Sequence, residues 1–167
     1  ALDGIDLKLK GRFNVENALA AIASSRLLGI DDDAIASGLE ALQGVPGRFE
    51  SVDEGQPFTV IVDYAHTPDS LDTVLRAARD LGDGKLIVVF GAGGDRDRGK
   101  RPLMGRVVLE RSDLVIVTSD NPRSEEPLAI IEDIKPGLAR GNYEVIVDRK
   151  EAIYKAIAMA EPRDIIL

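Results

Sequence analysis

Cysteine is absent from this 167-residue chain, and there is a single histidine, His66. The first absence excludes disulfides and thiolate chemistry. The second excludes a multi-histidine metal site within the chain. No apolar run is long enough to cross a bilayer and no secretory leader is visible, so no membrane association is expected. Positive charge is scarce: 21 Lys and Arg stand against 29 Asp and Glu, a formal net charge of −8. That balance argues against a broad nucleic-acid or acidic-membrane face. Internal repeats and low-complexity tracts are lacking. The chain opens on Ala1 without an initiator methionine, and Asp164 to Leu167 read as a strand only begun. A fragment of a larger protein is the expectation.

What is present has the texture of alternating strands and helices. Residues Ile5 to Lys10 alternate apolar and polar side chains, a strand signal. Asn14 is placed to cap a helix with apolar positions Val15, Leu19, Ile22, Ala23 and Leu27, closed by Gly29. Asp31 to Asp33 open a second helix running to Gln43, and Val45-Pro46-Gly47 reads as a hinge or domain boundary. Beyond it, Phe49–Val52 and Phe58–Val62 read as a hairpin. Thr67-Pro68-Asp69 signals a helix start, with the helix running to about Leu81. Strands are expected over Leu86–Phe90, Leu114–Thr118, Val145–Val147 and from Ile165. Helices are expected over Pro102–Glu110, Pro127 to about Ile134 and Lys150–Ala160. Strands apolar on both faces, alternating with helices, imply an α/β fold: a Rossmann-like, mostly parallel sheet with helices on both faces, after a short helical tail.

In such sheets ligands sit beyond the carboxyl ends of the strands, which directs attention to three loops. Asp120-Asn121-Pro122-Arg123 follows the apolar run Leu114–Thr118. An acid to accept from an ammonium and a guanidinium to fork onto a carboxylate suit a zwitterionic ligand; an Asn-Pro turn before a helix is the plainer alternative. The arginine-rich loop Gly91 to Arg101 follows the preceding strand and offers Arg96, so the pair of loops suits an amino acid with more than one carboxylate. Gly94-x-x-x-x-Gly99-Lys100 imitates a nucleotide P-loop, but Arg101 stands where a magnesium-binding hydroxyl belongs, and Asp95 and Asp97 stand where phosphates would rest. It reads as a false match. The third loop, Asp63-Tyr64-Ala65-His66-Thr67-Pro68, offers Asp63 for a ribose hydroxyl pair and His66 for a phosphate; a turn-forming aspartate and a packing histidine are equally open. Asn17 is a mediocre helix former one turn into the first helix, which invites a functional reason such as amide contacts to an adenine edge. Arg48, after the break, could reach a nucleotide or pair with a surface acid.

These segments together resemble the Mur ligase family. Gly11-Arg12-Phe13-Asn14-Val15-Glu16-Asn17-Ala18-Leu19-Ala20-Ala21 and Val45-Pro46-Gly47-Arg48-Phe49-Glu50 carry the general likeness. Val62 to Leu71 and the loop from Gly91 to Pro102 narrow it to the branch that adds the third residue of the cell-wall peptide. Asp120 to Arg123 is similar to the signature for meso-diaminopimelate over L-lysine.

The resemblance implies a cytoplasmic, monomeric enzyme of three domains. Residues 1–45 would be the tail of a central ATPase domain and 46–167 a truncated carboxyl-terminal Rossmann-like domain. It implies ATP-dependent amide ligation through an acyl phosphate, with ATP and Mg as the nucleotide pair and most of their ligands outside this chain. The UDP-MurNAc-dipeptide would bind through missing domains. Arg96, Asp120, Asn121, Pro122 and Arg123 would hold meso-diaminopimelate. Asn14, Asn17, Arg48, Asp63 and His66 would face ATP. No catalytic residue and no metal ligand is assigned within the chain, which alone is expected to be inactive. Arg98, Lys100 and Arg101 read as surface or domain-interface charges. The alternatives are a cyanophycin-synthetase-like ligase and a non-catalytic amino-acid-binding module. One charge-assisted arginine bond contributes about 1.5–3 kcal/mol, roughly a ten- to hundredfold preference for the ligand carrying the extra carboxylate.

Overall fold

The computed structural model describes residues 4–139 and 141–167. Two compact units divide the chain, residues 1–50 and 51–167.

In the first unit, helix α1 spans Arg12–Leu27 and α2 spans Asp32–Ala41. Asp31 caps α2 by accepting from the Asp33 amide at 3.0 Å, with Asp32 and Asp33 complementing the positive end of the helix. Residues 5–10 form no strand, contrary to their alternation. A strand needs a neighbour for its backbone groups, and here the Asp6 amide turns to the Glu40 side chain at 3.3 Å instead. Asn14 is not the cap of α1 either. Gly11 takes that position with φ 92°, and Asn14 lies within the first turn. Phe49 is 4 % exposed and meets Phe13 edge to face at 5.7 Å.

The second unit is built on a six-stranded sheet. Its strands are β1 (Glu50–Val52, entering from the first unit), β2 (Thr59–Val62), β3 (Leu86–Phe90), β4 (Leu114–Val117), β5 (Tyr143–Val145) and β6 (Ile165–Ile166), in the order β1-β2-β6-β3-β4-β5. The pairings β2–β6, β6–β3, β3–β4 and β4–β5 are all parallel. Helices α3 (Pro68–Arg79), α4 (Lys100–Arg111), α5 (Pro127–Ile134) with the short 3₁₀ turn Lys135–Leu138, and α6 (Arg149–Met159) supply the crossovers. All four β4 residues are buried, as a strand covered on both faces requires. On one face Ile87, Leu114, Ile116 and Ile166 pack against Ala152 and Ala156 of α6. The α/β class and the mostly parallel sheet agree with the sequence pattern.

Several boundaries differ by a residue or two from expectation, and two of them have a clear physical reason. Helix α4 begins at Lys100, two residues before Pro102, because a first-turn residue has no intrahelical acceptor for its N–H and proline loses nothing there. Strand β5 ends at Val145 rather than Val147. The Val147 carbonyl is taken by the Ser119 amide and the Thr118 hydroxyl, each at 3.2 Å, which turns the chain into α6.

Candidate functional site

A cavity of about 890 Å³ opens over the carboxyl ends of β2, β3 and β6. Strand β6 returns between β2 and β3, so the loops leaving β2 and β3 start one strand apart and a depression forms between them. All three loops singled out in the sequence line it, through Asp63 and His66, Arg96, and Asp120, Asn121 and Arg123.

The β3–α4 and β4–α5 loops lie backbone against backbone. A Cβ on Gly91 would sit 2.4 Å from the Thr118 carbonyl oxygen, and one on Gly94 only 1.9 Å from that of Pro122. Glycine is what permits this approach. The contact is hydrogen bonded: the Gly94 amide donates to the Asn121 carbonyl at 2.9 Å, and Arg123 Nη1 donates to the Gly94 carbonyl. A Cβ on Gly93 would meet Arg123 Nη1 at 3.0 Å and Arg96 Cγ at 3.8 Å, so the two arginines flank one glycine. Arg96, Asp120 and Arg123 are exposed and line the cavity, whereas Pro122, expected with them, is half-buried and does not line it. Two arginines and one carboxylate on one rim can take an amino acid by its ammonium and a carboxylate.

Behind this rim lies an ion network. The Arg101 side chain is 1 % exposed, so it is no surface charge. It forks onto Glu125 (Nη2–Oε1 2.7 Å, Nη1–Oε2 2.9 Å), reaches Asp133 at 2.7 Å and touches the Gly93 carbonyl at 3.3 Å. Arg98 forks onto Asp133 from outside at 2.9 and 3.0 Å. Arg101, helped by the Asp95 amide, pulls the Glu125 carboxyl down to about 2. Arg98 and then Arg101 lower Asp133.

Around the β2–α3 loop, Asp63 is half-buried and accepts from the Ala65 amide at 2.7 Å. His66 Nδ1 lies 3.0 Å from the Tyr64 carbonyl. A carbonyl only accepts, so Nδ1 carries the proton and Nε2 is the lone-pair nitrogen of the neutral ring. The other residues expected around a nucleotide belong to the first unit. Asn14 is 8 % exposed, donates to the Lys10 carbonyl at 2.7 Å and accepts from Asn17 at 3.2 Å. Arg48 is exposed beside the tight turn that its amide closes on Val45. Among the described residues, no three Asp, Glu or His side chains converge on a point where a metal ion would be held.

Sequence reasoning missed two cations. Arg149, the first residue of α6, lines the cavity and makes no ion pair or side-chain hydrogen bond among the described residues. Its signal was its position just after a strand of a parallel sheet. Arg101 was masked by its place in a charged run, where nothing local marks it as the buried member.

Residues 47–167 match the family described as Mur ligase, glutamate ligase domain. A UDP-N-acetylmuramoyl-L-alanyl-D-glutamate–2,6-diaminopimelate ligase of Syntrophomonas wolfei is 55 % identical over 166 residues, covering 98 % of this chain and 34 % of that protein. The chain therefore spans about a third of the length of the curated relatives it matches. A solved structure of a ligase of the same name is 41 % identical with a TM-score of 0.70, over 97 % of this chain and 34 % of the other. A bifunctional folylpolyglutamate synthase/dihydrofolate synthase of Yersinia pestis, complexed with AMPPNP and Mn, is 25 % identical with a TM-score of 0.72, over 98 % of this chain and 37 % of the other. By this match over most of its length, the chain belongs to the Mur ligase family and contains its glutamate ligase domain.

Proposed function

We propose that this chain is part of a cytoplasmic, ATP-dependent ligase that joins meso-diaminopimelate to UDP-MurNAc-L-Ala-D-Glu in cell-wall precursor synthesis. The observation that carries the reading is the pairing of Arg96 and Arg123 about Gly93, on the same cavity rim as Asp120. The 55 % identity to a ligase named for that amino acid supports it.

In this reading the far end of the diamino-diacid is held by its carboxylate on the arginines and by its ammonium on Asp120. The other amine is thereby aimed at the acceptor. ATP supplies activation of the D-glutamate carboxylate as an acyl phosphate. Asp63 suits a ribose hydroxyl pair, and His66 Nε2, as an acceptor, suits a hydroxyl or amino group of the nucleotide. In the first unit, Asn14, Asn17 and Arg48 are the residues assigned to ATP in this reading, and the ligands of Mg would come from the phosphates and from residues outside this chain.

In the full-length enzyme, Arg123→Ala is expected to raise KM for meso-diaminopimelate at least about tenfold, the loss of one charged bond, while KM for ATP holds. Unchanged diaminopimelate kinetics would remove Arg123 from the pocket. Calorimetric titration with ATP and the UDP-substrate present should show L-lysine binding at least about tenfold more weakly than meso-diaminopimelate. Equal affinities would refute the specificity assigned to this rim.

A further inference from the structure

We propose that Arg101 is a positioning residue for this rim: from behind the two loops it fixes the left-handed turns at Asp95 and Arg123, and so sets where the Arg96 and Arg123 side chains stand. The proposal rests on the functional reading above for its substrate, though not for its geometry.

Asp95 and Arg123 both carry positive φ, 52° and 51°. Residues with a side chain hold that conformation only where the surroundings over-determine it. Here each loop supplies the restraint on the other. The Asp95 amide donates to Glu125 Oε1 at 2.6 Å. The Asp95 carboxylate accepts from the Ser124 hydroxyl at 2.6 Å and from the Ser124 amide at 3.3 Å. Arg123 returns a bond to the Gly94 carbonyl. Every one of these contacts lies within two residues of Glu125 or Gly93, and Arg101 binds both. It takes both Glu125 oxygens in its fork and reaches the Gly93 carbonyl with Nη2. Asp133 holds the guanidinium from α5.

A buried ion pair is weak evidence for stability, since apolar side chains of similar volume often serve as well or better. What they cannot replace is direction. The planar guanidinium has five donors in a fixed fork, and here it addresses a carboxylate, a second carboxylate and a backbone carbonyl at once. A lysine offers a point charge without that geometry.

The test uses the full-length enzyme and four variants: Arg101→Lys, Glu125→Gln, Arg101→Met and the double variant Arg101→Met with Glu125→Leu. The single variants R101K and E125Q should raise KM for meso-diaminopimelate about tenfold and leave KM for ATP within about twofold. The apolar pair should recover the melting temperature lost in R101M while KM for meso-diaminopimelate stays high. A KM that returns to the parent value together with the melting temperature would reduce Arg101 to a packing residue. So would an unchanged KM in R101K. Hydrogen exchange without ligand reads the geometry separately: the Gly94 and Asp95 amides should lose protection in R101K and E125Q, and retained protection would overturn the proposal. If the parent enzyme ignores diaminopimelate, the functional reading fails, and the exchange result still decides the role of Arg101.

Discussion

Gly94 is kept a glycine by contact and not by conformation. Its φ is not left-handed, so any side chain could adopt its backbone conformation; what forbids one is the Pro122 carbonyl 1.9 Å from where a Cβ would stand. Gly38, inside α2, has open space at the same point. The two glycines should therefore respond oppositely to alanine. G94A must push two hydrogen-bonded loops apart and is expected to cost about 1–3 kcal/mol in denaturant unfolding, the range for overpacking. G38A replaces a helix-interior glycine and should stabilise by about 0.5–1 kcal/mol. A neutral G94A would mean that the loops are not in contact. The same scale separates what was legible from what was not. Asp120, Asn121 and Arg123 stood out because polar residues follow an unbroken apolar strand. Arg101 did not, because burial of a charge depends on Glu125 and Asp133, which are 24 and 32 residues away in sequence.

At the scale of elements, the legible pieces were those whose signals are local. Thr67-Pro68 starts a helix as its residues predict: the Thr67 hydroxyl accepts from the Ser70 amide at 3.2 Å and the Ser70 hydroxyl accepts from the Thr67 amide at 3.0 Å. T67A is accordingly expected to lose about 1 kcal/mol, measured by denaturant unfolding. An unaffected midpoint would mean that the cap is not formed in solution. Leu86–Phe90 and Leu114–Thr118 are legible as apolar runs of strand length bounded by turn residues; β3 and β4 are both interior strands, each paired on two sides. Residues 5–10 alternate like a strand but pair with no strand among the described residues, and alternation alone does not supply one. Asn14 looks like a cap, yet the positive φ that only glycine takes easily moved the helix start to Gly11. Val145 and Val147 look alike in sequence, so the expected strand Val145–Val147 lies two residues past the observed Tyr143–Val145. The distinction is made by Ser119 and Thr118 across the sheet, which take the Val147 carbonyl out of the ladder.

For the whole molecule, the network behind the rim links the site to stability in acid. Glu125 titrates at about 2 in the folded chain against an ordinary 4.5, held there first by Arg101 and then by the Asp95 amide. Its folded value lies below its unfolded one. Its contribution to stability is therefore complete above about pH 4.5 and drains away as pH falls toward 2, because the unfolded chain takes up the proton first. Asp133 lies on the same side of its ordinary value, with Arg98 and then Arg101 as the cause, and adds to the same slope. The parent chain should thus hold a flat melting temperature from neutrality to about pH 5 and lose it steadily below. E125Q cannot bind or release that proton. It should melt below the parent at neutral pH, and the gap between them should close as the pH drops from about 4.5 to 2. A gap that stays constant over that window would mean that Glu125 carries no extra charge stabilisation from Arg101. The loops would then be held by shape alone.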